Sequence, residues 1–174
     1  WLRPVIEPFA GIIPRRLHQL ESSRFGQLRH GVSAIGIVCH DLTHDCPRYL
    51  ATGADAGVSL YDAVATSASI PSMFPARSIE YDGQVCEFTD GGLSDALPIG
   101  FARGRMLGAT HVIASDCRSR RGAHEKHDAA DLAYVRPQLE DTHVLRAPRA
   151  SLLKAVAAGE AAVTPETLER ISGW

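Results

Sequence analysis

Thr89-Asp90-Gly91-Gly92-Leu93-Ser94-Asp95-Ala96-Leu97-Pro98 follows a strand-like run from Gln84 to Phe88 and leads into a segment that Pro98 can open as a helix. This order puts Asp90 at a strand end, where an open α/β sheet gathers its chemistry outside the carboxyl edge. The two glycines permit positive φ and leave room for a close neighbour. The tripeptide alone equally fits an ordinary turn, in which the aspartate closes an Asx-turn and glycine supplies the backbone angle. Its weight comes from the surrounding pieces.

Three of these lie upstream: Asp62-Ala63-Val64-Ala65-Thr66-Ser67-Ala68-Ser69-Ile70-Pro71, Phe74-Pro75, and Asp82-Gly83. Ser59 is a good N-cap for a helix from Leu60 to about Ala68, with Asp62 complementing its first turn. Ser67 and Ser69 are expected to satisfy backbone groups where that helix ends, before Pro71. Ser33 to Cys39 and Thr110 to Asp116 read as apolar strands, and Pro98 and Gly108 bracket a helix that Asp95 is placed to cap. Pro14 to Arg24 reads as a first helix. Tyr134 to Arg136 and Thr142 to Leu145 read as short strands, and Ser151 and Thr164 as caps of two terminal helices. The alternation predicts an α/β fold with a mostly parallel sheet and helices on its faces. The strands at 33–39, 84–88 and 110–116 are expected to share that sheet. The charge-mixed run from Arg118 to Asp128 reads as a solvated loop.

As a set, these motifs resemble the C-terminal half of the patatin-like phospholipases. The match runs through Ala65 to Pro75, Asp82-Gly83, Asp90-Gly91-Gly92, Asp95 to Pro98 and Gly108-Ala109-Thr110-His111-Val112-Ile113-Ala114. It covers residues 33–117, with a looser continuation to about 163. The resemblance implies a three-layer α/β/α domain. It also implies a lipid acyl-ester hydrolase that works through a serine and an aspartate, with no histidine, metal or organic cofactor. The aspartate's role maps onto Asp90, supported by Gly91 and Gly92.

The serine maps onto nothing. No Gly-x-Ser-x-Gly string occurs in these residues, and the nearest, Gly31-Val32-Ser33-Ala34-Ile35-Gly36, has its second glycine one position late. Ser33 also leads into an apolar strand, whereas a nucleophile elbow leaves a strand for a helix. Residues 1–174 are therefore expected to form a single partial domain lacking the elbow and the glycine-rich oxyanion loop, and to be inactive alone. An ordinary carboxylate is a poor base for a hydroxyl, so a serine–aspartate pair needs either a desolvated site or proton transfer concerted with carbonyl attack.

The 174 residues suffice for one core, and a formal net charge of −2 lacks the basic footprint of a nucleic-acid binder. The apolar stretches fall far short of the roughly 20 residues that span a bilayer. A cytoplasmic location is expected, with peripheral membrane contact compatible with a lipid substrate. Cys39, Cys46, Cys86 and Cys117 form no Cys-x-x-Cys pair and read as free thiols. His40-Asp41-Leu42-Thr43-His44-Asp45-Cys46 carries metal-type ligands. A turn could gather three of them, and the resemblance places a strand followed by a turn here; if the stretch instead continues the strand, His40 and His44 stand roughly 13 Å apart, too far for one zinc ion. No histidine sits in a recognisable motif, so none is assigned a catalytic part. Two other readings stay open: a non-catalytic binding or regulatory module on the same scaffold, and an unrelated α/β phosphate binder. The phosphate binder requires the N–H groups of residues 91–94 to point at an anion.

Overall fold

The computed structural model describes residues 34–55, 57–117, 129–138 and 149–174. Ser33, the helix expected over 14–24, the charged loop from Arg118 and the strand expected over 142–145 lie outside them. The chain divides into two units, residues 1–108 and 109–174.

In the first unit, β1 (Gly36–Asp41) turns back into β2 (Cys46–Ala51), pairing antiparallel from Gly36 opposite Ala51 to Asp41 opposite Cys46. The turn is made by Asp41, whose Oδ1 accepts the Thr43 and His44 backbone N–H groups at 2.9 and 3.1 Å. Asp45 then takes a φ of 51°, which aspartate tolerates in a turn. The sheet continues with β4 (Gln84–Asp90) beside β1 and β3 (Arg77–Tyr81) beyond it, in the order β2-β1-β4-β3. β3 and β4 are joined by Asp82-Gly83, with φ of 52° and 77°. Positive φ at both central residues is what a type I′ hairpin needs, and Asp-Gly supplies it.

Helix α1 (Leu60–Ser67) begins as expected: the Ser59 hydroxyl accepts the Asp62 N–H at 3.0 Å and donates to its carboxylate at 2.6 Å. Cys39, Leu50, Cys86 and Phe88, from one sheet face, cluster with Val58, Leu60 and Ala63. On the other face, Tyr49 stacks on Phe101, ring centroids 4.9 Å apart. Phe101 belongs to α2 (Ile99–Arg103), which ends at Gly104, well before Gly108.

Asp41 is fully buried, with Oδ2 accepting from His44 Nδ1 at 2.8 Å and Arg48 Nε at 3.0 Å. Burial pushes its carboxyl up, but the His44 and Arg48 hydrogen bonds outweigh this and hold it below the usual 3.8. A depressed folded-state value stabilises the fold above the unfolded value. That contribution is lost as pH falls through the lowered one. Asp41→Ala, which also strands two turn N–H groups and a guanidinium, is expected to cost about 2–4 kcal/mol. Thermal melts from pH 7 to pH 2 check this: the variant should melt lower at neutral pH and lose less on acidification than the wild type.

In the second unit, β5 (Val112–Ser115) pairs parallel with β6 (Leu132–Val135), accompanied by α3 (Arg149–Ala162) and α4 (Pro165–Ser172). Thr164 caps α4 by accepting the Thr167 N–H at 3.2 Å, and Pro165 opens its first turn. Arg170 donates to the Leu132 and Ala129 carbonyls at 2.9 and 3.1 Å. The Tyr134 hydroxyl donates to buried Asp116, which also meets Arg136 at 3.6 Å.

The fold is α/β, but two expectations about the sheet need correction. Among the described residues, three of the four strand pairings are antiparallel, because tight turns join β1 to β2 and β3 to β4. Among the described residues, the strand at 112–115 pairs with β6 in a two-stranded sheet. No described helix is long and apolar enough to cross a membrane.

Candidate functional site

Asp90 is the last residue of β4, opposite Cys39 of β1, and the N-cap of a 3₁₀ turn at Gly91–Leu93. Its Oδ1 accepts the Gly92 N–H at 2.7 Å, the Asx geometry expected of Asp-Gly-Gly. Its own N–H donates to the Ser69 carbonyl at 3.1 Å, and the Thr89 hydroxyl donates to the same carbonyl at 2.7 Å. Ser69 is held in turn by its hydroxyl, which donates to the Ala65 carbonyl at 2.8 Å. The end of α1 thus anchors the end of β4. Among the described residues no donor reaches Asp90 Oδ2.

The two glycines serve the site differently. A Cβ on buried Gly91 would lie 2.2 Å from the Val38 carbonyl oxygen, so only glycine lets this turn press against β1. A Cβ on Gly92 would meet only Asp90 Oδ1, at 2.9 Å.

Asp90 opens onto a cleft of about 500 Å³ lined by Val38, Val64, Ala68, Ala96 and Pro98, with Ser67 and Asp95 among its polar lining residues. Such predominantly apolar walls with a few polar groups suit a mixed apolar and polar ligand. Behind Asp90, Cys39 is buried in the core. Burial first, and the Asp90 carboxylate second, push its thiol up to about 12, so it is an inert packing residue.

Asp95 does not cap α2 through its side chain, as spacing suggested. Its Oδ1 accepts the Leu97 N–H at 3.3 Å and its Oδ2 accepts the Tyr49 hydroxyl at 3.0 Å, while the N-cap of the helix is Pro98, with no side-chain cap. Tyr49 is a site neighbour that sequence reasoning missed, because 46 residues separate the pair.

The histidines are also repositioned. The stretch from His40 does not continue as a strand, since Asp41 turns it, and the 13 Å separation argument therefore does not apply. The turn instead gathers Asp41, His44 and Cys86, with ligand-type atoms within 4.8 Å of one another. Arg48 already supplies the counter-charge there, and a cation would have to displace it. His40 points elsewhere, its Nδ1 2.5 Å from the Ser94 hydroxyl and its Nε2 3.4 Å from Asp45.

The phosphate-binding alternative loses support. The Gly92 N–H donates to Asp90, and the Ser94 N–H donates to the Gly91 carbonyl at 3.0 Å, so half of the required N–H groups are turned inward.

The patatin-like phospholipase family model matches residues 12–103, just over half of the chain and within the first unit. The chain belongs to that family, a class of lipid hydrolases. The matched segment carries every Asp90 neighbour described above and stops before β5. No curated protein and no solved structure matches the chain.

Proposed function

We propose that this chain supplies the aspartate half of a serine–aspartate acyl-ester hydrolase, with Asp90 as the base. The serine sits on a Gly-x-Ser-x-Gly elbow outside these 174 residues, and the complete domain forms three α/β/α layers. The observation that carries this reading is Asp90 itself: one oxygen fixed by the Gly92 N–H, the other met by no donor among the described residues, on a largely apolar cleft. A fixed carboxylate with an open lone pair can accept a hydroxyl proton within the 2.6–3.2 Å reach typical of general bases.

The steps then balance. As the serine oxygen bonds to the ester carbonyl carbon, its proton passes to Asp90. The tetrahedral adduct expels the alcohol, which takes that proton, and leaves a seryl ester. Water, deprotonated by the same carboxylate, releases the carboxylic acid and restores the serine. The apolar walls suit the acyl chain of a lipid, reached from a membrane surface. No metal or organic cofactor enters.

The test is reaction of the full-length protein with a fluorophosphonate, followed by peptide mapping. One serine on a Gly-x-Ser-x-Gly elbow should be labelled, and residues 1–174 alone should stay unlabelled. Stoichiometric labelling of Ser33, Ser67 or Ser69 would overturn the assignment.

A further inference from the structure

Asp90 leads a six-residue segment, Asp90 to Asp95, whose shape is closed internally. The Ser94 and Asp95 N–H groups donate to the Gly91 carbonyl at 3.0 and 2.9 Å, and the Gly92 N–H holds the Asp90 carboxylate at 2.7 Å. A unit so short moves largely as one body, so whatever fixes its far end also fixes the carboxylate. The near end is set by β4 and by Gly91 against Val38. The far end carries two hydrogen bonds to the β1–β2 hairpin: Ser94 to His40, which is only 7 % exposed, and Tyr49 to Asp95.

His40 and Tyr49 extend from the same sheet face, since Val38, two residues from His40, pairs opposite Tyr49. Tyr49 is further fixed by its stack on Phe101. Both bonds are part-buried: His40 is buried while Ser94 is exposed, and Tyr49 and Asp95 are half-buried, so each bond is only partly shielded from replacement by solvent.

We infer that His40 and Tyr49 are positioning residues, clamping Ser94 and Asp95 so that Asp90 meets the serine in a fixed orientation. This rests on the dyad reading of Asp90. Sequence spacing offered His40 only as a metal-type ligand; its contact with Ser94 gives it a part that involves no proton transfer to substrate. A displacement of about 1 Å at a reacting group can cost on the order of 100-fold in rate. Partial release of one of two clamps should therefore lower kcat about 10-fold.

The experiment uses the full-length protein and the variants His40→Ala, Tyr49→Phe, Ser94→Ala and Ser94→Thr. It reads kcat and KM on a soluble nitrophenyl ester, thermal melts, and hydrogen exchange at the amides of residues 91–95. His40→Ala, Tyr49→Phe and Ser94→Ala should each lower kcat about 10-fold, leave KM nearly unchanged and speed exchange at these amides. Ser94→Thr keeps the hydroxyl and should recover most of the loss. Unchanged exchange in His40→Ala and Tyr49→Phe would overturn the clamp. Faster exchange with wild-type kcat would overturn its positioning role. Full activity in Asp90→Asn would overturn the dyad reading instead, while the exchange rates still decide the clamp.

Discussion

Asp90→Asn in the full-length protein is expected to lower kcat/KM on a soluble ester by about 100- to 10,000-fold, the range for loss of a general base. The substitution nearly preserves shape. An asparagine Oδ1 can still accept the Gly92 N–H, and the residue's own N–H still reaches Ser69. What changes is the second position, where an acceptor becomes an amide donor. Because the serine hydroxyl must lose a proton as it attacks, a donor there leaves that proton without a destination. The fold should tolerate the change, since the side chain is only half-buried and makes a single hydrogen bond among the described residues. Melts of the variant should stay near the wild type, which would assign the loss to chemistry.

Gly91→Ala is expected to damage both fold and function. The added methyl carbon would sit 2.2 Å from the Val38 carbonyl oxygen and 2.5 Å from its carbonyl carbon. These are backbone atoms of the central strand β1, bonded on both sides, so relief requires β4 to shift against β1. Overpacking a buried site usually costs about 1–3 kcal/mol, and a backbone obstacle places this case at or above the upper end. The same shift carries Asp90 away from its partner, adding a loss on the order of 100-fold in kcat/KM. Gly92→Ala is the matched comparison. Its methyl carbon would meet a movable carboxylate oxygen, so activity should fall while the melt changes little. A wild-type melt for Gly91→Ala would show that β1 and the turn are not in such close contact.

Much of this was legible in short-range sequence. Ser59 and Thr164 cap helices, Asp82-Gly83 makes a hairpin turn, and Asp90 ends a strand, because each depends on chemistry within three or four residues. Strand pairing was harder to read, since apolar runs do not encode whether a neighbour runs parallel or antiparallel. Pro47 further disguised β2. It cannot donate to a ladder, yet it is tolerated because β2 is the edge of its sheet. A turn after Asp41 was anticipated by the resemblance, but the hydrogen bonds of its carboxylate to His44 and Arg48 were not. The roles of Tyr49 and His40 depend on hydrogen bonds spanning 46 and 54 residues, which no local spacing reveals. The place of Asp90 at a strand end was therefore readable from sequence, whereas the contacts of His40 with Ser94 and of Tyr49 with Asp95 were not.

Transfer of the serine proton to Asp90 is read from the acylation step alone. The full-length protein is mixed rapidly with a nitrophenyl ester, and the burst of nitrophenol, one per active serine, reports that step before turnover. Asp90→Asn should slow the burst at least about 100-fold. His44→Ala and His111→Ala, whose side chains lie on a hairpin turn and beside Trp174 respectively, should match the wild-type rate. A wild-type burst in Asp90→Asn, or a burst in either histidine variant as slow as the one expected for Asp90→Asn, would contradict the assignment.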